Sequence, residues 1–169
     1  MTVDELNSLP AEAARDAFAA CCGAPAWVDR MVARRPFDGR LALLRAADVL
    51  WRDLPPRDRK AAIAHHPRIG ESRAAAPVGA RADAWSAAEQ SGARAADDAT
   101  RAAIARGNAD YERRFGHPFI ICASGRTGPE LLGALRARLE LDAEAEFSVT
   151  SEELRQIMRL RLEKLLVDP

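Results

Sequence analysis

Prolines and glycines cut this chain into alanine- and leucine-rich pieces of helical length, and that punctuation narrows its possible folds more than any other feature. Asn7 and Ser8 precede Pro10 and an alanine-rich stretch, 11–22, that Gly23 closes. A capping residue, an early proline and a following glycine predict a helix there. Pro25 opens a second, with Trp27, Val28, Met31 and Val32 at helical spacing before Pro36. Asp38 is placed to cap a third, whose apolar stripe is Leu41, Leu44, Leu50, Trp51 and Leu54, and Pro55 and Pro56 end it. A fourth spans 57–65 and meets Pro67, whose ring disfavours helical geometry at His66.

The stretch 70–82 is small and aperiodic and reads as loop, and a helix follows through Trp85 to Gly92. Asp97 or Asp98 caps the next, which carries Ile104, Asn108, Tyr111 and Phe115 and stops at Gly116. After Pro118 the run 119–123 has strand-like composition but no partner strand, so an extended buried loop at 118–124 is expected. Thr127 and Glu130 have the spacing of a capping box for a helix through Leu139, and Thr150 or Ser151 is expected to start the last one. The predicted fold is therefore all-α: a compact bundle of about eight helices with one extended buried loop, as a single domain over 1–169.

Composition narrows the partners. Lysine plus arginine and aspartate plus glutamate both number 25, so no global field gathers nucleic acid or an anionic membrane, and a small molecule or another protein is the expected partner. The start, TVDELNSLP, shows no basic segment followed by an apolar run, and no stretch is apolar enough for a membrane helix. Cys21 and Cys22 are neighbours on a helix and diverge, so no disulfide framework follows with Cys122, and a reducing cytoplasm is expected. Cys122 lies in an apolar run and reads as core rather than nucleophile.

Three features are out of place in a plain bundle. On the last helix, Leu154, Ile157, Met158 and Leu165 define an apolar face with Arg161 near its centre, while Arg155 and Arg159 fall on the polar side. An arginine aimed into a core must bridge an acid or meet a ligand. Ser86, Glu89 and Gln90 share one helix face; in a helix of small residues that face would by itself be at home in water. His66, held at a helix end, is a candidate acid or base with an ordinary pKa of about 6.5, or else an end-cap. Adjacent His65 and His66 diverge and no HExxH or CxxC accompanies them, so no metal site is expected. GRTGPE lacks the lysine and setting of a phosphate loop.

Taken in order, HPRIGE (66–71), SAAEQSG (86–92), N-x-x-Y-x-x-x-F-G (108–116), PFIICA (118–123) and the terminal IMRLRLEKL resemble the 2-oxo-4-hydroxy-4-carboxy-5-ureidoimidazoline (OHCU) decarboxylase family. The resemblance runs from about Asp4 to Leu165, and its most specific element is the HP pair followed by S-x-x-E-Q. It implies an all-helical homodimer without metal or organic cofactor that converts OHCU to (S)-allantoin and carbon dioxide in urate degradation. It also implies His66, Glu89 and Arg161 as catalytic residues. Pro67, Ser86, Gln90 and backbone groups of Phe119, Ile120, Ile121, Cys122 and Ala123 are the implied substrate contacts. Where the family often has an asparagine, after the pair matched by Arg138 and Leu139, this chain has Leu141 and Asp142. Relatives from plants and animals commonly end in peroxisomal signals, and Val167, Asp168 and Pro169 do not form one, which favours a bacterial, cytoplasmic setting.

In such a site Arg161 opposes charge at a ring carbonyl, Glu89 accepts from hydroxyl and ureido N–H groups, and His66 moves a proton as either base or acid. Two other classes stand against this reading. One is a non-enzymatic helical interaction module in which Arg161 and Glu89 only pair; the other is a metal-dependent hydrolase using His65, His66 and an acid.

Overall fold

The computed structural model describes residues 1–64, 66, 68–70 and 79–166. Among these the regular structure is all helical, in ten helices: α1 (Val3–Ser8), α2 (Ala11–Cys21), α3 (Pro25–Ala33), α4 (Gly39–Arg52), α5 (Pro56–Ala64), α6 (Gly79–Glu89), α7 (Ser91–Arg94), α8 (Asp98–Phe115), α9 (Gly128–Leu139) and α10 (Ala143–Leu165). The all-α expectation holds. Among the described residues no helix is long and apolar enough to cross a membrane.

The chain forms two compact units, Met1–Ala62 with Arg155–Pro169, and Ile63–Leu154. In the first, α1 to α4 pack around Leu6, Phe18, Trp27, Met31, Leu43 and Trp51, all essentially without exposure. Phe18 meets Trp27 and Phe37 edge-on at 5.9 and 6.3 Å between ring centroids. The indole of Trp27 donates to the Ala47 carbonyl at 3.1 Å, so this fully buried ring leaves its donor met. Arg35 donates to the carbonyls of Leu6 and Leu9 at 2.9 and 2.7 Å, placing a cation on the carbonyl end of α1. The last turns of α10 add Arg155 and Arg159, both on Asp48 of α4.

In the second unit α8 lies along α9, and α7 rests on α9. Its core is Ile69, Ala93, Ile104, Tyr111, Phe119, Ile121, Ala123, Leu131 and Leu135. Small residues permit this closeness. An added Cβ at Gly107 would stand 2.5 Å from the Leu135 side chain, and one at Gly92 would collide with the backbone carbonyl of Arg126. Gly116 ends α8 in the left-handed conformation at φ 74°, as its position after Phe115 predicts.

The structure corrects several local expectations. Helix α1 precedes the first predicted helix, and its cap is a Thr2–Glu5 capping box. Asn7 does not cap α2: its side chain exchanges two hydrogen bonds with the Phe37 backbone at 2.9 Å, a long-range pairing that outbids the local one. Leu41 is 65% exposed, so the buried face of α4 is Leu43, Leu44, Ala47 and Trp51. Helix α6 begins at Gly79, inside the stretch expected as loop, and the helix expected through Gly92 breaks at Gln90.

Thr150 and Ser151 lie buried within α10. Asp142 holds the start instead, accepting from the N–H groups of Glu144 and Ala145 at 3.0 and 2.8 Å. The expected cap at Asp97 and the capping box of Thr127 with Glu130 are both present.

Two alanine substitutions test the packing with opposite signs. Gly92→Ala forces a methyl group into the Arg126 backbone and should cost about 1–3 kcal/mol. Gly133→Ala, on an exposed turn of α9 with nothing within 4 Å of the new carbon, should gain roughly 0.4–1 kcal/mol. Urea denaturation of both variants measures the contrast; equal midpoints would contradict the packing described.

Candidate active site

His66 stands just beyond α5, with its backbone N–H on the Ile63 carbonyl at 3.0 Å, so the helix stops before it as Pro67 requires. Pro67 itself, His65 and Glu71 lie outside the described residues. The residues that follow His66 are held one after another. Arg68 donates to the Glu112 carboxylate of α8 through Nε and through Nη2, the latter at 2.7 Å. The Ile69 carbonyl accepts from the Asn108 amide of α8 at 2.9 Å. The Gly70 N–H, on a residue at φ 84°, donates to Gln90 Oε1 at 3.0 Å, and Gln90 Nε2 reaches Ser86 Oγ at 3.4 Å.

The face shared by Ser86, Glu89 and Gln90 is thus not a solvated one: Glu89 and Gln90 are 7% and 4% exposed, and Ser86 is partly buried. A buried amide must find partners, and Gln90 finds them on the loop and on Ser86. The structure therefore uses Gln90 to tie down the stretch after His66.

The segment 119–123 is non-helical and buried at Phe119, Ile120, Ile121 and Ala123. Phe119 packs edge-on against Tyr111 at 5.3 Å, beneath the Arg138 guanidinium at 5.1 Å. Cys122 is half-buried, and its thiol pKa is raised by burial first and then by the charges of Glu153 and Glu89. Glu89 and this segment are therefore within electrostatic reach of one another. A thiol held protonated between two carboxylates is a poor nucleophile, as its sequence setting suggests.

Beneath the segment lies a charge cluster that periodicity alone did not single out. Arg138 and Glu146 are 6% and 0% exposed. Arg138 Nε donates to Glu146 Oε2 at 2.7 Å, Nη2 bonds Glu146 Oε1 and Thr150 Oγ1, and Nη1 donates to the Ile120 carbonyl at 3.0 Å. The Tyr111 hydroxyl donates to Glu146 as well. Burial followed by that hydrogen bond pushes the Tyr111 pKa up. Burial pulls the Arg138 pKa down, but Glu146 and Tyr111 more than offset it and leave it raised. A signal existed, since Arg138 follows Leu131 and Leu135 on one helical face. Asn108 anchors Ile69, while Tyr111 both joins this cluster and braces the chain after Gly116 through His117 and Phe119.

Arg161 belongs to the other unit. It is 7% exposed on α10 among Ile157, Met158, Leu162 and Leu165, so its expected placement on the apolar face holds. Its charge is felt by Cys22, whose thiol is nonetheless pushed up to about 12, by burial first. The structure brings His66, Ser86, Glu89, Gln90 and residues 119–123 into one compact unit and puts Arg161 in the unit formed by the two ends of the chain.

The chain matches the family model described as OHCU decarboxylase over residues 7–163. It is 32% identical over 158 residues to the uric acid degradation bifunctional protein TTL of Arabidopsis thaliana, covering 93% of this chain and 48% of that protein. It is 26% identical over 168 residues to the uric acid degradation bifunctional protein PucL of Bacillus subtilis, covering 99% of this chain and 33% of that protein. The chain therefore spans half or less of the length of these curated relatives. Among solved structures it resembles an OHCU decarboxylase determined in the presence of (S)-allantoin. The TM-score is 0.77 and the identity 30%, over 90% of this chain and 99% of that one.

The tethers after His66 make two measurable claims. Asn108→Ala leaves the buried Ile69 carbonyl without its donor and should cost about 1–3 kcal/mol in denaturant unfolding. The Arg68 hydrogen bonds hold the Glu112 carboxyl below its ordinary pKa. A depressed acid contributes fully above the unfolded glutamate value of about 4.3, and the contribution is lost as pH falls through the lower folded value. Amide-exchange protection at Gly70, whose N–H is bonded to Gln90, should therefore drop in that acid window, and Glu112→Gln should abolish the pH dependence.

Proposed function

Because the chain belongs to the OHCU decarboxylase family, we propose that it decarboxylates 2-oxo-4-hydroxy-4-carboxy-5-ureidoimidazoline to (S)-allantoin in urate degradation, without a metal or organic cofactor. The observation that carries this reading is the likeness to the enzyme solved with (S)-allantoin, which extends over 99% of that chain. The family match also spans HPRIGE, SAAEQSG and the last helix, where the assigned residues stand.

Loss of carbon dioxide breaks the bond between the ring carbon and the carboxylate and leaves its electron pair on that carbon. The pair moves into the adjacent C=N, which is conjugated with the ring C=O, to give an enol; the hydroxyl loses its proton and becomes the second ring carbonyl, and the neighbouring, ureido-bearing carbon is protonated on one face. Arg161 is assigned to the ring carbonyl, where a guanidinium opposes the developing charge without giving up its own proton. Glu89 accepts from the substrate hydroxyl and ureido N–H groups and so turns the scissile bond out of the ring plane. His66 transfers the proton, drawing it from the hydroxyl as the carboxylate leaves or delivering it to the new carbanion. Ser86 and Pro67 line the same ring, and backbone groups of 119–123 hold it. Gln90 contributes by fixing Gly70, and hence the stretch that begins at His66.

The protein is assigned to the cytoplasm as a homodimer. Its three free cysteines, two of them buried, suit a reducing compartment. Light scattering of the purified chain measures the assembly.

The reaction is tested by generating the substrate in situ from urate and following the optical activity of the allantoin formed. Chiral excess with the protein, against racemate without it, is the expected result, and racemate in both overturns the assignment. In the same assay His66→Asn should fold normally and lose about 10²- to 10⁴-fold in turnover. Near-full activity of that variant would remove His66 from the mechanism.

A further inference from the structure

The backbone of 119–123 is engaged unevenly. Arg138 Nη1 donates to the Ile120 carbonyl at 3.0 Å. The Cys122 N–H donates to Glu153 Oε2 at 2.7 Å, and the Cys122 carbonyl accepts from Arg126 Nε at 3.1 Å. Between them, Ile121 is 3% exposed, and among the described residues no hydrogen bond engages its N–H or its carbonyl. Engaged, unengaged, engaged is the two-residue period of an extended chain, in which alternate residues present their polar groups to opposite edges.

Three charged side chains from three places thus occupy one edge. Arg138 comes from α9, Glu153 from α10 and Arg126 from the turn after Ala123. A buried backbone donor and acceptor left without partners carries a desolvation cost that a ligand with complementary groups removes. A ureido-substituted imidazoline ring has such groups side by side, an N–H beside a C=O.

We propose that Glu153, Arg126 and Arg138 are positioning residues, which hold the Ile120 and Cys122 edge of this segment so that the N–H and carbonyl of Ile121 read the ring. This rests on the function proposed above. It adds residues that do not touch the substrate and names the one peptide edge that does. Glu153 is the most informative of the three, because among the described residues its carboxylate is the acceptor for the Cys122 N–H, and it sits outside the Arg138–Glu146 cluster.

The test is Glu153→Ala beside Glu153→Gln, which keeps an acceptor oxygen at the same reach. In the urate-coupled assay Glu153→Ala should raise KM about tenfold with kcat little changed, the signature of lost binding shared by ground and transition states. Its thermal stabilisation by (S)-allantoin should shrink in parallel, and Glu153→Gln should recover most of both. Loss of kcat with KM unchanged, or wild-type KM and allantoin response in Glu153→Ala, overturns the proposal while wild-type turnover leaves the reaction standing. An inactive wild type overturns the reaction itself, and this proposal with it.

Discussion

Arg138 and Glu146 lie side by side out of water, and a charge pair in that position is tolerated only when every donor and acceptor it brings is met. In the second unit they are met by Tyr111 of α8, Thr150 of α10 and the Ile120 carbonyl. A buried pair of this kind contributes little stability over well-packed apolar residues, because desolvation consumes most of the Coulombic gain. Its consequence is geometric. The guanidinium has a fixed fork of donors, so satisfying it sets where α8, α9 and the first half of α10 stand around 119–123, and which way the Ile120 carbonyl points. The close helix contacts at Gly107 and Gly92 are the apolar counterpart, since any larger residue there would push the same elements apart.

The stretch after His66 is governed by a different rule. Arg68, Ile69 and Gly70 follow one another without helical hydrogen bonds of their own, and each is held by a side chain from α8 or from the α6–α7 junction. Two of those side chains, Asn108 and Gln90, are buried amides. Each therefore gives one of its own buried polar groups a partner and fixes the backbone of that stretch at the same time. In the proposed reaction, whose outcome depends on which face of a carbon receives a proton, tethering the backbone after His66 limits where its imidazole can stand.

The positions of α2 to α5, α8 and α9, the prolines and glycines that bound them, and the apolar placement of Arg161 were legible in the sequence. Prolines and capping residues act on neighbouring φ and ψ angles, and a 3.6-residue period shows which residues share a face. The family was legible too, from motifs in order, and the match over 7–163 bears it out. Local rules failed where a distant group made a better offer. Asn7 left its cap for the Phe37 backbone, and Thr150, a plausible helix start, went into the core beside Glu146. Leu41 was read as core and is exposed, because the stripe that α4 buries is chosen by what packs on it.

The sequence by itself determined an all-helical chain, which residues share each face, and the set of polar side chains that a plain bundle would not need. It could not decide which way the face of Ser86, Glu89 and Gln90 turns, since spacing fixes a face but not its surroundings. Only the tertiary structure buried that face, gave Gln90 to Gly70 and gave Glu153 to the Cys122 amide. Hydrogen bonds across 20 to 31 residues depend on where whole helices come to rest, and no local preference encodes that.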